Sequence, residues 1–346
     1  MGRASPQGIL IVSDSKQNIT VIGAGILGLW QALTLARAGH AVRLVEASAD
    51  PFAATASRYA GAMLAPDCEA EAAPPVVRQF GHDGLKLWRE VYPHLTEAGT
   101  LVVAASRDRS ELNRFQRMTE GHSSVDAVAI ADLEPDLGDR FAAGLFFANE
   151  AHMETPMAMA FLLDEARRLG VETVFGETTN IDELDGIVVD CRGLGANDEL
   201  ESLRGVRGER LLVHAPDVSL SRPIRLLHPR HPLYVVPWPG NRYMIGATVI
   251  ESEDDGPATI RSVLELMGNV YTLHSGFGEA QILEIGAGLR PAFPDNVPRV
   301  IWTRRGRVIH VNGAYRHGFL LAPVLAELVR SVIADPAITH PLLLLG

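Results

Sequence analysis

The chain has 346 residues, two cysteines and a formal net charge of −11 at pH 7. This length is enough for two lobes with a sizeable core. The negative charge argues against nucleic acid or an anionic membrane surface as a partner. Cys68 and Cys191 imply no disulfide framework and indicate a reducing, cytoplasmic location.

Residues 1–17 show no signal-peptide pattern, and no apolar run in the chain approaches the roughly 20 residues of a membrane span. We expect these residues to form an N-terminal extension with a short edge strand over 9–12. The organised part of the chain is expected to begin near Asn18.

The stretch Asn18–Ala47 predicts a strand, a glycine-rich turn, a helix and a second strand. In such a turn Gly23 allows the tight bend, Gly25 lets the backbone approach a pyrophosphate, and Gly28 lets the helix pack close to the strand. Glu46 ends the second strand, where a carboxylate can accept hydrogen bonds from both hydroxyls of an adenosine ribose. The pattern predicts a dinucleotide site and leaves FAD and NAD open.

Small residues fill the next stretch, Ala53–Ala65, which includes Ser57. Side chains this small let the backbone lie close to an extended ligand. Because the stretch leaves the second strand of the nucleotide unit, we expect it to run beside the ligand. A plain surface loop is the alternative.

The rest of the chain alternates predicted helices and strands. Helices are predicted over 80–95, 110–118, 156–169, 257–272 and 319–334, the last interrupted early by Pro323. Parallel strands are predicted over 170–175 and 187–191, antiparallel strands over 207–215, 232–236 and 242–249 with a hairpin turn at 239–241, and further strands over 100–104, 144–148, 281–289, 299–303 and 307–311. Residues 131–137 are predicted as a turn because Pro135 disfavours helix at Glu134. The result is a mixed α/β fold, with βαβ units interleaved with antiparallel strands.

Further short motifs follow the glycine turn in a fixed order. They are Ala60–Pro66, Leu133–Pro135, Val206–Glu209, Leu233–Pro237, Ile245–Thr248, Gly288–Pro291 and Asn312–Pro323. Together they resemble the D-amino acid oxidase superfamily of flavoenzymes, and within it the glycine oxidases. The resemblance extends from about Asn18 to Val329.

This resemblance implies an FAD-dependent oxidation of glycine, and of small amines or D-amino acids, to the imine and then to glyoxylate and ammonia. Dioxygen would be reduced to hydrogen peroxide, and the product would supply thiazole synthesis in thiamine biosynthesis. The FAD would be non-covalent, since related sarcosine oxidases tether flavin through a C-terminal cysteine and none follows Cys191. A homo-oligomer is also implied.

Other functions stay open at this point. One is an oxidase or dehydrogenase of a larger D-amino acid or of a secondary amine such as sarcosine. An NAD-linked dehydrogenase has no support beyond the glycine turn. A non-catalytic flavin-binding protein would have to explain why Arg290 and Arg316 are both present.

The resemblance also implies a division into domains. Residues 1–17 would be the N-terminal extension. Residues 18–75, 150–205 and 283–340 would form a discontinuous, Rossmann-like FAD-binding domain. Residues 76–149 and 206–282 would form a substrate domain with an interleaved antiparallel sheet.

The cofactor contacts that the glycine motif and the resemblance imply lie in three segments. They are Gly23, Gly25, Ile26, Leu27, Gly28, Glu46, Ala47, Ser57, Gly61, Ala62, Met63, Ala314, Tyr315, Arg316, His317, Gly318, Phe319 and Leu320. The N-terminus of the helix near Phe319 would point its N–H groups at the flavin.

Arg290 would bind the substrate carboxylate, because a guanidinium offers two parallel N–H donors. Arg316 and Tyr234 would lie beside the substrate, although Tyr234 also fits a core position. The sequence offers no evident acid–base pair near the two arginines, so hydride transfer to the flavin is expected without an obligate side-chain base. His228 and His231 lack a third ligand, so no metal is expected.

Overall fold

The computed structural model describes residues 16–303 and 307–345, so the strand predicted over 9–12 lies outside the described residues. The α-helices of the described part are α1 (Ile26–Arg37), α2 (Pro75–Val91), α3 (Arg109–Met118), α4 (Ala127–Leu133), α5 (Thr155–Arg168), α6 (Ile260–Leu273) and α7 (Gly318–Ala334). Its strands are β1 (Asn18–Ile22), β2 (Ala41–Glu46), β3 (Met63–Leu64), β4 (Thr100–Ala104), β5 (Ser123–Asp126), β6 (Ala143–Phe147), β7 (Ala151–His152), β8 (Glu172–Phe175), β9 (Ile187–Asp190), β10 (Arg204–His214), β11 (Ile224–Leu227), β12 (Leu233–Trp238), β13 (Arg242–Gly246), β14 (Gln281–Ala292), β15 (Arg299–Thr303), β16 (Val308–Asn312) and β17 (Leu343–Leu345).

The first sheet has the strand order β17-β15-β16-β9-β1-β2-β8 in the described chain. The neighbouring strands β16, β9, β1, β2 and β8 of this sheet pair in parallel, as predicted for β1, β2, β8 and β9. Strand β15 runs antiparallel to β16. Apolar side chains of α1, α2, α5 and α7 bury one face of this sheet in the main core. Continuous apolar strands such as β1 suit a parallel sheet with covered faces.

The second sheet has the order β14-β10-β13-β12-β11-β4-β6-β5 among the described residues. Its strands pair antiparallel except for β4 with β11. Gly240 and Asn241 both have positive φ and form the predicted hairpin turn between β12 and β13. Leu266, Val270 and Leu273 of α6 pack on one face of the sheet in a second core. The opposite face is left for the site described below.

Several local predictions are wrong in detail. The turn predicted over 131–137 is the end of α4 followed by a 3₁₀ turn at Pro135–Leu137. The side chain of Asp126 caps the N-terminus of α4 by accepting the N–H of Ala129. Pro135 disfavours helix only at the residue before it, Glu134, where α4 has already ended. The strand predicted over 242–249 ends at Gly246. The elements that were not predicted at all are short: strands β3, β5, β7, β11 and β17 and helix α4.

Pro323 lies inside α7 without interrupting it, which corrects the predicted break. Proline has no N–H for the carbonyl four residues earlier, which belongs to Phe319. The indole Nε1 of Trp88 donates to that carbonyl at 2.6 Å instead. α2 and α7 approach closely here, since a Cβ at Gly84 would overlap the carbonyl oxygen of Leu320. Despite its apolar sequence, α7 does not qualify as a membrane span, and neither does any other described helix.

Two contacts of the described chain bear on the predicted domain boundaries. The boundary at 282/283 falls inside β14, which pairs with β10 along its whole length. α2, predicted in the substrate domain, buries Val77, Leu85 and Trp88 in the core of the first sheet. We therefore propose that α2 belongs to the nucleotide-binding part and β14 to the substrate part.

Glu150 is a buried carboxyl group between β6 and β7. It accepts the backbone N–H of Cys68 at 2.7 Å and is 1% exposed. Burial raises the pKa of Glu150 to about 8. A carboxyl group that stays protonated in the folded state weakens folding as pH rises from its ordinary range towards that value, because only the unfolded chain releases the proton.

We predict that Glu150→Gln removes this loss of folding stability at higher pH. Melting temperatures of the parent and the variant should be similar near pH 5, and the variant should be the more stable by several degrees near pH 8. Thermal unfolding followed at pH 5, 6, 7 and 8 checks this, with the exposed Glu120→Gln as the control. If the melting temperatures of parent and variant change with pH in the same way, the prediction is wrong.

Candidate functional site

A cavity of about 700 Å³ lies between the first sheet and the open face of the second. One end is lined by Glu46 at the end of β2, and the other by Arg290 of β14. The predicted cofactor residues converge on this cavity from three separate segments. All of them line it except Gly28.

The glycine turn has the conformation that its spacing predicts. Gly23 has φ +98°, and a Cβ on Gly28 would overlap the carbonyl oxygen of Gly23. Gly25 precedes α1 without a side-chain cap, and Ser57 accepts the N–H of Ile26 at 3.0 Å. The first N–H groups of a helix have no partner within it. The turn therefore presents backbone donors to an anionic group.

Glu46 is buried and held by backbone donors. Its two carboxylate oxygens accept the N–H of Ala24 at 2.8 Å and of Ser48 at 3.0 Å. Each carboxylate oxygen has a further lone pair, and the side chain lines the cavity. The acceptor expected for ribose hydroxyls is therefore fixed in place by the turn itself.

The small-residue segment runs along the cavity rather than over the outer surface. Gly61, Ala62 and Met63 line it, and Ala62 has a positive φ of 48°. Gly61 faces the second sheet, where a Cβ would overlap the end of Met244. Thr155 donates to the carbonyl of Ala60 at 2.6 Å and fixes the segment against α5.

The N-terminus of α7 closes another side of the cavity. His317 is the N-cap residue and forms no side-chain cap, and the first turn of α7, beginning at Gly318, lines the cavity. Burial lowers the pKa of His317 to about 4, so its imidazole is neutral at pH 7. Tyr315 has φ +50°, and its N–H donates to the carbonyl of Pro291 at 2.9 Å. This bond joins the segment before α7 to β14.

Arg290 reaches into the cavity without an acidic partner. Its Nη1 donates to the carbonyl of Thr248 at 3.1 Å, and among the described residues no carboxylate lies within 4 Å of it. Its guanidinium lies over Gly208, where a Cβ would overlap it. Burial lowers the pKa of Arg290 to about 10, and the nearby Arg316 adds to this effect. The side chain is thus a charged donor that is open to an anion.

Glu69 is the site residue that the sequence reasoning missed. It forms an ion pair with Arg316 at 3.3 Å and accepts a hydrogen bond from the hydroxyl of Tyr234. Arg225 lies 3.8 Å from the same carboxylate. Burial alone would raise the pKa of Glu69, but Arg316 and Arg225 outweigh it and lower the pKa to about 2. The acid-rich run Asp67–Glu71, directly after the small-residue segment, was the available signal.

The three residues predicted to bind substrate therefore differ in whether an acidic side chain pairs with them. Arg316 is paired with Glu69, and the hydroxyl proton of Tyr234 points to Glu69. Only Arg290 of the three has no acidic partner among residues 16–303 and 307–345. No group of three or more His, Cys, Asp or Glu side chains that could hold a metal occurs in the described chain.

Comparison with known proteins gives consistent matches. The model of the family DAO, described as FAD dependent oxidoreductase, matches residues 18–331. The putative thiamine biosynthesis oxidoreductase ThiO of Rhizobium etli is 51% identical, over 92% of this chain and 97% of that protein. The glycine oxidase of Bacillus licheniformis is 24% identical, over 92% and 93% of the two chains. The crystal structure of glycine oxidase from Geobacillus kaustophilus has a TM-score of 0.76 at 22% identity, covering 94% of this chain and 96% of that one.

We predict that Glu69→Gln destabilises the protein by about 3–5 kcal/mol at pH 7, because it leaves Arg316 without its carboxylate, whereas Arg225 keeps Glu71. The carboxylate stabilises the fold above its ordinary pKa, and this contribution is lost as pH falls towards 2. Urea unfolding should therefore show a smaller difference between parent and variant at pH 4 than at pH 7. The exposed Glu120→Gln is the control, and a loss below about 1 kcal/mol at pH 7 would refute the role.

Proposed function

Because this chain belongs to the DAO family of FAD dependent oxidoreductases, we propose that it oxidises glycine, with small amines and D-amino acids as further substrates. Glycine, dioxygen and water would yield glyoxylate, ammonia and hydrogen peroxide by way of the imine. The observation that carries the proposal is Arg290, a cation in the cavity with no acidic partner among the described residues. The likeness to the Rhizobium etli protein supports a further step, in which the imine supplies thiazole formation for thiamine.

The residues around the cavity fit FAD. The remaining N–H groups at the N-terminus of α1 would hold the pyrophosphate, and Glu46 would accept the ribose hydroxyls. Ser57 to Met63 would lie along the dinucleotide, and the uncapped N-terminus of α7 would border the flavin. FAD supplies the acceptor for two electrons when it is bound. The helix dipole of α7 favours negative charge at that border.

Arg290 would orient the substrate through its carboxylate. One of its N–H groups is used on the carbonyl of Thr248, which fixes the plane of the guanidinium and leaves other donors for a ligand. A pKa near 10 keeps the side chain charged at neutral pH. Gly208 provides the space in which the guanidinium lies. These features support a rigid, two-pronged carboxylate site.

Glu69 would form the negative wall of the substrate site. With a pKa of about 2 it stays ionised at neutral pH and is a poor proton acceptor. Its role would be to hold Arg316 and Tyr234 in place and to attract the amino group. A substrate bound as the neutral amine then needs no side-chain base, as the sequence predicts.

The location of the protein in the cell and its oligomeric state are also proposals. Cys68 and Cys191 are both buried and free, which suits a reducing compartment. We therefore retain the cytoplasmic location as a prediction. The likeness to the family supports a homo-oligomer, and size measurement of the FAD-loaded protein in solution would test it.

A first test changes Glu46 to Ala. The affinity for FAD should fall about tenfold or more, since hydrogen bonds to a charged group contribute about 1.5–3 kcal/mol each. Flavin released on dilution, followed by fluorescence, measures the affinity, and acid precipitation should release all of it as free FAD. The control is Glu177→Ala, which changes another carboxylate of the cavity wall that pairs with Arg43. Parental affinity in Glu46→Ala would exclude the ribose role.

The second test changes Arg290 to Leu. The value of kcat/KM for glycine, followed by peroxide release, should fall about a hundredfold or more, because the charged hydrogen bonds to the substrate carboxylate are lost. Bound FAD should stay near the parental content, since the side chain faces the substrate.

The matched control for this test is Arg114→Leu, which alters an exposed arginine of α3. Flavin reduction by glycine without oxygen isolates the chemical step from reoxidation. Parental reduction at low glycine in Arg290→Leu would exclude the carboxylate role. Peroxide release by the parent with a panel of glycine, sarcosine, D-alanine and L-alanine tests the substrate proposal itself.

A further inference from the structure

A second arginine in the same cavity has no assigned role. Arg210 of β10 is 3% exposed and lines the cavity with Arg290. Its Nη2 donates to Glu284 at 3.0 Å, but its Nε and Nη1 are buried with no partner in the described chain. Buried donors of a charged group are costly when they stay unpaired. Two free N–H groups facing a cavity therefore indicate a place for an anionic ligand.

The charges around Arg210 do not balance. Glu284 is the one carboxylate that the described residues place within 4 Å of it, and Arg58 shares that carboxylate at 3.5 Å. Two guanidinium groups thus compete for one anion, leaving one net positive charge. The ring of Tyr59, 5.3 Å from the Arg210 guanidinium, covers its apolar side and cannot neutralise it.

Arg210 and Arg290 act on the same face of the second sheet. Arg290 lies over Gly208, and Arg210 stands two residues further along β10 on the same side. Gly286 lies opposite Arg210 in the register, and the ring of Tyr59 lies over Gly286 and Gly288 on that face. Two cations that line one cavity suit a ligand with two carboxylates.

We propose that Arg210 forms a second anion subsite, and that the substrates of this chain include amines that carry two carboxylates. The proposal rests on the proposed function, in which Arg290 holds the first carboxylate. The second carboxylate would accept one of the two unpartnered donors of Arg210, Nε or Nη1, which lie on opposite edges of the guanidinium. For iminodiacetate, dioxygen and water would convert the amine to glyoxylate, glycine and hydrogen peroxide, with one C–N bond broken.

The decisive measurement is ligand binding to the FAD-loaded protein, followed by the change in flavin absorbance. The ligands are oxydiacetate and methoxyacetate, which differ by one carboxylate and contain no amine to oxidise. The parent should bind oxydiacetate at least about tenfold more tightly, the effect expected of charged hydrogen bonds. Equal affinities in the parent would overturn the proposal without any variant.

The variants then assign the effect to Arg210. Arg210→Met should abolish the preference for oxydiacetate and leave methoxyacetate binding within about threefold of the parent. Glu284→Gln should strengthen oxydiacetate binding, because it removes the competing anion. Arg114→Met is the control and should keep the preference. If Arg210→Met does not retain FAD, the neutral variant Arg210→Gln replaces it, and a full parental preference in either variant refutes the role.

Turnover separates this proposal from the proposed function. If glycine gives no peroxide while oxydiacetate binding still depends on Arg210, the oxidase proposal fails and the subsite stands. If glycine is oxidised and the two ligands bind equally, the subsite fails alone. Peroxide release with iminodiacetate compared with D-aspartate shows whether the second carboxylate is carried on the nitrogen side or the Cα side of the substrate.

Discussion

The carboxylate of Glu69 joins side chains of the second sheet to the segment before α7. Arg316 comes from the segment before α7, whereas Arg225 and Tyr234 come from β11 and β12. Such an enclosed carboxylate is tolerated only because opposite charges and a hydroxyl surround it. The same neighbours keep its pKa near 2, so the connection persists over the whole neutral range. The cluster thereby connects the second sheet to the segment that borders the cofactor cleft.

This cluster also decides which cations are available to ligands. Arg316 is neutralised by Glu69, and Arg192 at the cofactor side is neutralised by Asp190 and Asp198. Arg290 has no acidic partner in the described residues, so a carboxylate entering the cavity meets it as an open charge. Under the proposed function, the distribution of acids, more than the number of arginines, would direct a substrate carboxylate to Arg290.

The sequence predicted those features that depend on short segments. Gly23, Gly28 and Glu46 act within a single strand–turn–helix unit, and their spacing alone predicts the turn that the structure has. Glu69 could not be found this way, because its hydroxyl partner lies 165 residues along the chain. In the sequence, Arg210 is an ordinary polar residue of a predicted strand. Only the pairing of β10 with β14 places it on the face of the sheet that lines the cavity. Long-range pairing, which no local period encodes, accounts for both omissions.

The two halves of the cavity recognise ligands by different means. At the cofactor end the contacts are offered by the backbone, at the glycine turn and at the uncapped N-termini of α1 and α7. Such contacts depend on the fold and vary little with side-chain substitution. At the substrate end they are side-chain charges standing over the glycines of β10 and β14. Because a strand residue can change without altering the glycine turn, the substrate range of this chain can differ from that of other DAO family members while the FAD site stays the same.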